Sequence, residues 1–272
     1  MSPEEATGSD LEVGAILRRW RDLRRLTQLD LALDAGVSAR HLSFVETGRS
    51  RPSAEMVLML AEKLEVPLRE RNRMLLAAGY APSFPELSID EAPMAPVREA
   101  LDVILDGHEP NPAVVVDRRW NLVAANATMA ALAVGVDEAL LEPPVNVMRL
   151  GLHPHGLAAS VANHAQVRQY FIGRLERQVA LSGDAELSEL LDEVSAYSTA
   201  DEENASAAAT GVGNVLTPLM RMRMPGGEEL SFFFSVATFG TAVEVTASEL
   251  SIELGFPADL ATVEALRKLP RR

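Results

Sequence analysis

TQLDLALDAGVSARHLSFVETGRSRPS, residues 27–53, contains two short amphipathic helices and the turn that joins them. Thr27 is a good N-cap, and Leu31, Ala32 and Ala35 fall on one face before Gly36 ends the helix. Ser38 opens the next helix, whose Leu42 and Val45 point back to the same core. The few residues around Gly36 are short enough to hold the two helices at the steep angle of a helix-turn-helix. Upstream, Val13, Ile16, Leu17, Trp20 and Leu23 recur at helical spacing, with Arg18, Arg19, Arg21, Arg24 and Arg25 on the remaining surface. Downstream, two more helices are predicted over Ala54 to Leu64 and Leu68 to Ala78, which makes a five-helix, all-α domain over residues 1–80.

The rest of the chain is different in charge. Residues 11–79 hold 12 Lys/Arg against 9 Asp/Glu, a net of +3, whereas residues 80–272 hold 13 against 27, a net of -14. A basic end on an acidic chain suits contact with phosphates, which basic side chains neutralise. With 272 residues, two domains of unequal size are expected. The absence of cysteine rules out disulfides, thiolate metal sites and thiol nucleophiles. The opening Met1 to Asp10 is acidic and polar, unlike a signal peptide, and no apolar run is long enough to span a bilayer. A soluble cytoplasmic protein without membrane partners is the expectation.

Residues 27–53 resemble the phage-repressor (Xre/Cro-like) helix-turn-helix family. Thr27-Gln28, Leu31-Ala32, Ala35-Gly36-Val37-Ser38, Leu42-Ser43 and Glu46-x-Gly48-Arg49 all stand at that family's spacing. The resemblance implies binding to a double-stranded DNA operator, with the second helix of the motif entering the major groove by its N-terminal end, here Ser38 to Phe44. Ala39, Arg40 and Phe44, with His41 and Ser43 beside them, match the outward positions used for base edges and nearby phosphates. Arg40 is the expected direct reader, because a guanidinium bonds guanine O6 and N7 bidentately. Ala39 and Phe44 offer only apolar contact, for instance to a thymine methyl, and packing against the fourth helix is the competing reading of Phe44. Gln28 resembles the family's phosphate clamp, and Arg49 and Arg51 are expected on the DNA backbone. Arg21 and Glu46 match positions that pair with each other as scaffold. One such helix reads too few base pairs alone, so a homodimer on paired half-sites is expected.

Ala77 to Pro96 carries Pro82, Pro85, Pro93 and Pro96, and residues 81–96 read as a semi-rigid linker before a second domain over 97–272. Val97 to Leu105 reads as a short helix, followed by strands at Ala113 to Val116 and Trp120 to Val123, a turn between them at Asp117 to Arg119, and a helix from Asn126. The middle, from Asn146 to about Ala196, is helical by pattern. A hairpin then runs from Leu216 to Met224, through Pro225-Gly226-Gly227, to Glu229 to Phe239. One more strand, Glu249 to Phe256, precedes a closing helix, Asp259 to Leu269. The expected fold is therefore α+β and PAS-like, an antiparallel sheet with helices inserted between its two halves.

This half resembles the MmyB-like ligand-binding domain that follows an Xre-type module in many bacterial regulators. The segments that carry the likeness are VVVDRRWNLVAAN (114–126), NVMRLGLHPHGL (146–157), Leu230 to Phe239 and IELGFPADLATVEAL (252–266). What the likeness implies is a PAS-like sensor of a small, apolar, fatty-acid-like ligand. The residues are compatible with a pocket of their own accord. Met220, Met222 and Met224 share one strand face, and Phe232, Phe234 and Val236 alternate with Phe233, Ala237 and Phe239, so both faces of that strand should be covered. Phe171, Met220, Met222, Phe232 and Phe234 are candidate ligand contacts, with core filling as the competing reading of each. Arg149 and His153, followed by Arg168, are the candidate partners of a ligand carboxylate. Trp120 and Asn126 are expected to fix the strand-to-helix corner.

Catalysis has no support in the sequence: there is no Gly-x-Ser-x-Gly elbow, no phosphate-cradling loop, and Gly211-Val212-Gly213 lacks the rest of a dinucleotide fingerprint. His153, His155 and His164 lack neighbouring acidic or thiol ligands for a metal. A ligand-sensing regulator leads; a regulator whose second half is a protein-interaction or dimerisation module without a ligand is the alternative.

Overall fold

A computed structural model describes residues 12–197 and 219–269. The acidic opening segment, the Gly211-Val212-Gly213 stretch and the first residues of the expected hairpin, Leu216 to Pro218, lie outside the described residues. The chain divides into two compact units, one made of the residues up to Ser88 together with Thr241–Ser248, the other of Ile89–Gly240 and Glu249 onward.

The first unit holds helices α1 (Val13–Leu23), α2 (Gln28–Asp34), α3 (Ala39–Glu46), α4 (Ala54–Lys63) and α5 (Leu68–Ala77). Three of these starts, those of α2, α3 and α4, are capped by a side chain. Thr27 and Asp30 form a reciprocal capping box at α2, and the Ser38 and Ser53 hydroxyls accept from the His41 and Met56 amides at α3 and α4. Gly36, at φ +67°, makes the turn between α2 and α3 in a conformation that side-chain-bearing residues avoid. Leu17, Leu31, Leu42, Leu60 and Leu75 are each 1% exposed or less and form one core. Gly14 lets α1 approach the end of α3, since a Cβ there would sit 2.4 Å from the Val45 carbonyl oxygen.

Part of the expected linker belongs to this unit. Asn72 of α5 donates to the Phe84 carbonyl at 2.8 Å and accepts from the amides of Ser83 and Phe84. Thr241–Ser248, a segment expected within the second domain, also packs in the first unit. There the Glu244 carboxylate accepts from the amides of Leu87, Thr246 and Ala247, and the Thr246 hydroxyl donates to the Leu87 carbonyl. Pro93 and Pro96 do not interrupt structure either. They sit in the first turns of a 3₁₀ turn (Ala92–Met94) and of α6 (Ala95–His108), where no amide is lost, so this helix starts earlier than Val97 and runs past Leu105.

The second unit is built on a five-stranded antiparallel sheet in the order β2-β1-β5-β4-β3. Its strands are β1 (Ala113–Val116), β2 (Leu122–Ala125), β3 (Met220–Arg223), β4 (Glu229–Thr238) and β5 (Ser251–Pro257). Between β2 and β3 run α7 (Ala127–Leu132), α8 (Val147–Leu152), α9 (His164–Ser182) and α10 (Ala185–Ser195). The second strand begins at Leu122 rather than Trp120, because Trp120 turns the chain at φ +67°. Every residue of β1 is buried: Ala113 and Val115 pack with Leu101 and Leu105 of α6, Val114 and Val116 with Leu175 and Leu187 on the opposite face. A strand covered on both sides reads as a continuous apolar run.

The expectation that β4 is covered on both faces holds only in part. Phe232 is fully buried, but Phe233 and Val236 remain 43% and 42% exposed. Phe233 instead stacks on Phe256 of β5, with ring centroids 5.4 Å apart.

Candidate DNA-binding surface and ligand cavity

The motif of α2 and α3 is braced by one buried ion pair. Arg21 Nε lies 2.7 Å from Glu46 Oε1 and Nη2 3.1 Å from Oε2, while Nη1 donates to the Leu26 carbonyl at 2.8 Å. Hydrogen bonding to Glu46 raises the Arg21 pKa above its ordinary value, against the opposing effect of burial. Gln28 Nε2 donates to Glu46 Oε2 at 2.7 Å, so the same carboxylate that locks α1 to α3 also positions Gln28 at the start of α2.

Around the N-terminal end of α3, Ser38 and Arg40 are exposed, and His41, Ser43 and Phe44 are half-buried. Ala39 leans on the core, which limits what it can offer outward. Arg40 and Phe44 are one helical turn apart, and the guanidinium lies over the ring at 5.4 Å from its centroid. That stacking restrains the arginine while its N–H groups stay at the surface. Arg49 is exposed in the loop after α3. Arg51, expected on the DNA backbone, is exposed and also ties the fold together. Its Nε and Nη2 donate to the carbonyls of Ala78 and Gly79, and its guanidinium covers Tyr80 at 5.1 Å. The carbonyls at the end of α5 need donors, and Arg51 supplies them.

In the second unit the inner face of the sheet and helices α7, α8 and α9 enclose a cavity of about 340 Å³. Phe171, Met220, Met222, Phe232 and Phe234 all line it. Trp120 lines it too, besides turning the corner. Its indole Nε1 donates to Gln178 at 2.9 Å and its ring meets Phe171 edge-on. Asn126 stays at the corner, accepting from the amides of Ala113 and Met129 and donating to the Asn111 carbonyl.

The polar residues expected at the ligand do not line the cavity. Arg149 is engaged bidentately by Glu193, with Nε 2.9 and 3.0 Å from the two carboxylate oxygens and Nη2 2.7 Å from Oε2. Tyr197 donates to the same carboxylate, and His153 meets the Tyr197 ring edge-on at 4.8 Å. The Arg149 hydrogen bond holds Glu193 below the usual carboxylate range, and burial followed by the Glu193 contact pushes Tyr197 up to about 12. Arg168 donates to the Ser195 carbonyl at 2.7 Å. These groups fasten α8 and α9 to α10, because each cation finds a carboxylate or a helix-end carbonyl nearer than the cavity.

Among the described residues the ionisable side chain in the cavity wall is Glu253, 6% exposed, on the central strand β5. Its neighbours across the sheet are Val114 and Val236. Behind it Arg174 Nη2 approaches Oε1 to 2.8 Å, and the guanidinium stacks on the Trp120 ring at 4.5 Å. The sequence does carry a trace of this. In IELGF, Glu253 occupies the face opposite Ile252 and Leu254, so a charge falls where alternation demands an inward residue.

Residues 17–71 match the helix-turn-helix model, and residues 97–269 match the MmyB-like transcription regulator ligand binding domain. No curated protein matches the chain. A solved structure titled "Structure of an RNA-binding Light-Oxygen-Voltage Receptor" aligns at 16% identity and a TM-score of 0.25, over 94% of this chain and 63% of that one. A likeness this slight carries no argument about fold or function. Both matched models describe DNA-binding and ligand-binding domains, not enzymes, and among the described residues no helix is long and apolar enough to cross a membrane. With the ligand-binding model covering more than half of the sequence, the chain belongs to the MmyB-like transcription regulators, carrying a helix-turn-helix DNA-binding domain ahead of the ligand-binding one.

Proposed function

We propose that this chain is a one-component, cytoplasmic transcription regulator that binds a DNA operator as a homodimer and is switched by an apolar small molecule of fatty-acyl type held in a PAS-like second domain. The cavity on the inner face of the sheet carries this reading. A wall of methionines, phenylalanines and aliphatic side chains suits an acyl or alkyl chain as the filler.

Sequence readout rests with Arg40, restrained over Phe44, and with Ser38, His41 and Ser43 beside it; Gln28 and Arg49 hold phosphates. A ligand shifts DNA affinity only through differential affinity for two states of the protein. The segment Thr241–Ser248 supplies a covalent route. It belongs to the DNA-binding unit, yet it continues directly from β4 and into β5, which bring Phe234 and Glu253 to the cavity. The test is operator binding, on a site selected from a genomic library, with and without fractionated lipid extract. At least one fraction should shift the isotherm. Isotherms that coincide for every fraction remove the sensing reading and leave DNA binding intact; failure to select any preferred site removes the DNA reading.

A further inference from the structure

The cavity's polar end is an acceptor, not a cation. Among the described residues Glu253 is the acid in an otherwise apolar wall, on the central strand of the sheet. Arg174 comes within 2.8 Å of Oε1, yet among the described residues Oε1 has no partner of hydrogen-bond geometry, and neither has Arg174 Nη1. The pair is thus close enough to cancel its charge but out of line for a hydrogen bond. Oε1 is turned to Arg174 and closed to solvent, so the oxygen left to an incoming N–H or O–H from the cavity is Oε2, which takes no hydrogen bond from the described residues.

Three features narrow what can approach. Arg174 is not part of the wall; it is held behind the carboxylate by its stacking on Trp120. The pair is neutral overall, so a cationic ligand end meets no uncompensated charge. An anionic end placed against Glu253 meets a like charge in a medium of low polarity. We infer that the cavity selects an aliphatic ligand that carries a neutral hydrogen-bond donor, an alcohol or a hydroxyl-bearing acyl chain, and that Glu253 accepts its hydrogen bond. This specificity rests on the apolar-ligand reading above and adds the chemistry of the ligand's polar group.

The full-length protein is titrated with n-decanol, its methyl ether and decanoate at neutral pH, where decanoate is ionised, with binding followed by calorimetry. Decanol should bind at least about tenfold more tightly than either of the others, since the ether lacks the donor and decanoate lacks it and adds a charge. In Glu253→Gln the preference over decanoate should close to within about threefold. The wild-type ranking needs no variant and so decides the matter even if that substitution disturbs folding. Decanoate or the ether binding as tightly as decanol overturns the donor assignment and leaves the apolar-ligand reading standing. Binding by none of the three removes that reading and the assignment with it.

Discussion

Replacing Arg21 by methionine leaves a side chain of similar length without charge and isolates the ion pair under the DNA-binding motif. In the native fold Glu46 accepts from Arg21 Nε, Arg21 Nη2 and Gln28 Nε2, at 2.7, 3.1 and 2.7 Å. Its side chain is 1% exposed and that of Arg21 10%. The substitution removes two of those three donors and leaves a carboxylate out of reach of water, with one amide for company. Breaking a buried pair in this way costs roughly 3–5 kcal/mol, whereas an exposed pair is worth about 1 kcal/mol or less. Against about 5–15 kcal/mol for a whole domain, the loss should unfold the motif in much less urea. Trp20, buried in α1, reports on this unit alone once Trp120 is changed to phenylalanine, since the chain has two tryptophans. The companion Arg21→Met/Glu46→Leu, which discards the orphaned carboxylate as well, should recover most of the loss. A loss under about 1 kcal/mol for the single variant, or a double variant no more stable than the single, would refute the view that burial makes this pair structural.

Other outcomes follow from the same geometry. Gly151 lines the cavity, and a Cβ there meets nothing within 4 Å, so Gly151→Leu should fill the ligand space while the protein folds. Native mass spectrometry should then show at least about a tenfold lower fraction of apolar ligand co-purified, and an unchanged fraction counts against the cavity as the site. Arg40→Ala should relax base preference at one position per half-site, while Gln28→Ala weakens all sequences alike and flattens the salt dependence; uniform weakening by both would contradict the division of roles. The phenol of Tyr197 should titrate near 12 by ultraviolet absorbance, and Glu193→Gln should bring it back toward 10. Because this pKa is raised in the folded state, the associated stability is complete below about pH 10 and disappears as pH rises through about 12. A native phenol already ionising at its ordinary pKa would show the contact with Glu193 to be absent.

Local chemistry made much of this protein legible. The caps at Thr27, Ser38 and Asn126, the glycine turn at Gly36 and the periodicity of α1 to α5 act within a few residues, and each was readable from its neighbours in the chain. The strand-turn-strand-helix beginning at Ala113 and the apolar β3–β4 hairpin were readable for the same reason. Two helix-breaking prolines misled, because Pro93 and Pro96 occupy the first turns of helices, where a missing amide does no harm.

What the sequence alone determined, then, is which segments are helix or strand, which face of each is apolar, and through the motif at Thr27 to Arg49 what the first domain contacts. The tertiary structure decided who meets whom. Arg149 and His153 looked like anion binders until α10 and the residues after it brought Glu193 and Tyr197 to them, and nothing near Arg51 in the sequence announces the carbonyls that the end of α5 presents to it. Glu253, Arg174 and Trp120 come from β5, α9 and the turn between β1 and β2, and form one polar end only when β5 is placed between β1 and β4. The physical reason is range: capping and periodicity are set by bonds a few residues long, whereas burial, charge pairing and cavity walls depend on groups that only the packing of the sheet and its helices makes neighbours.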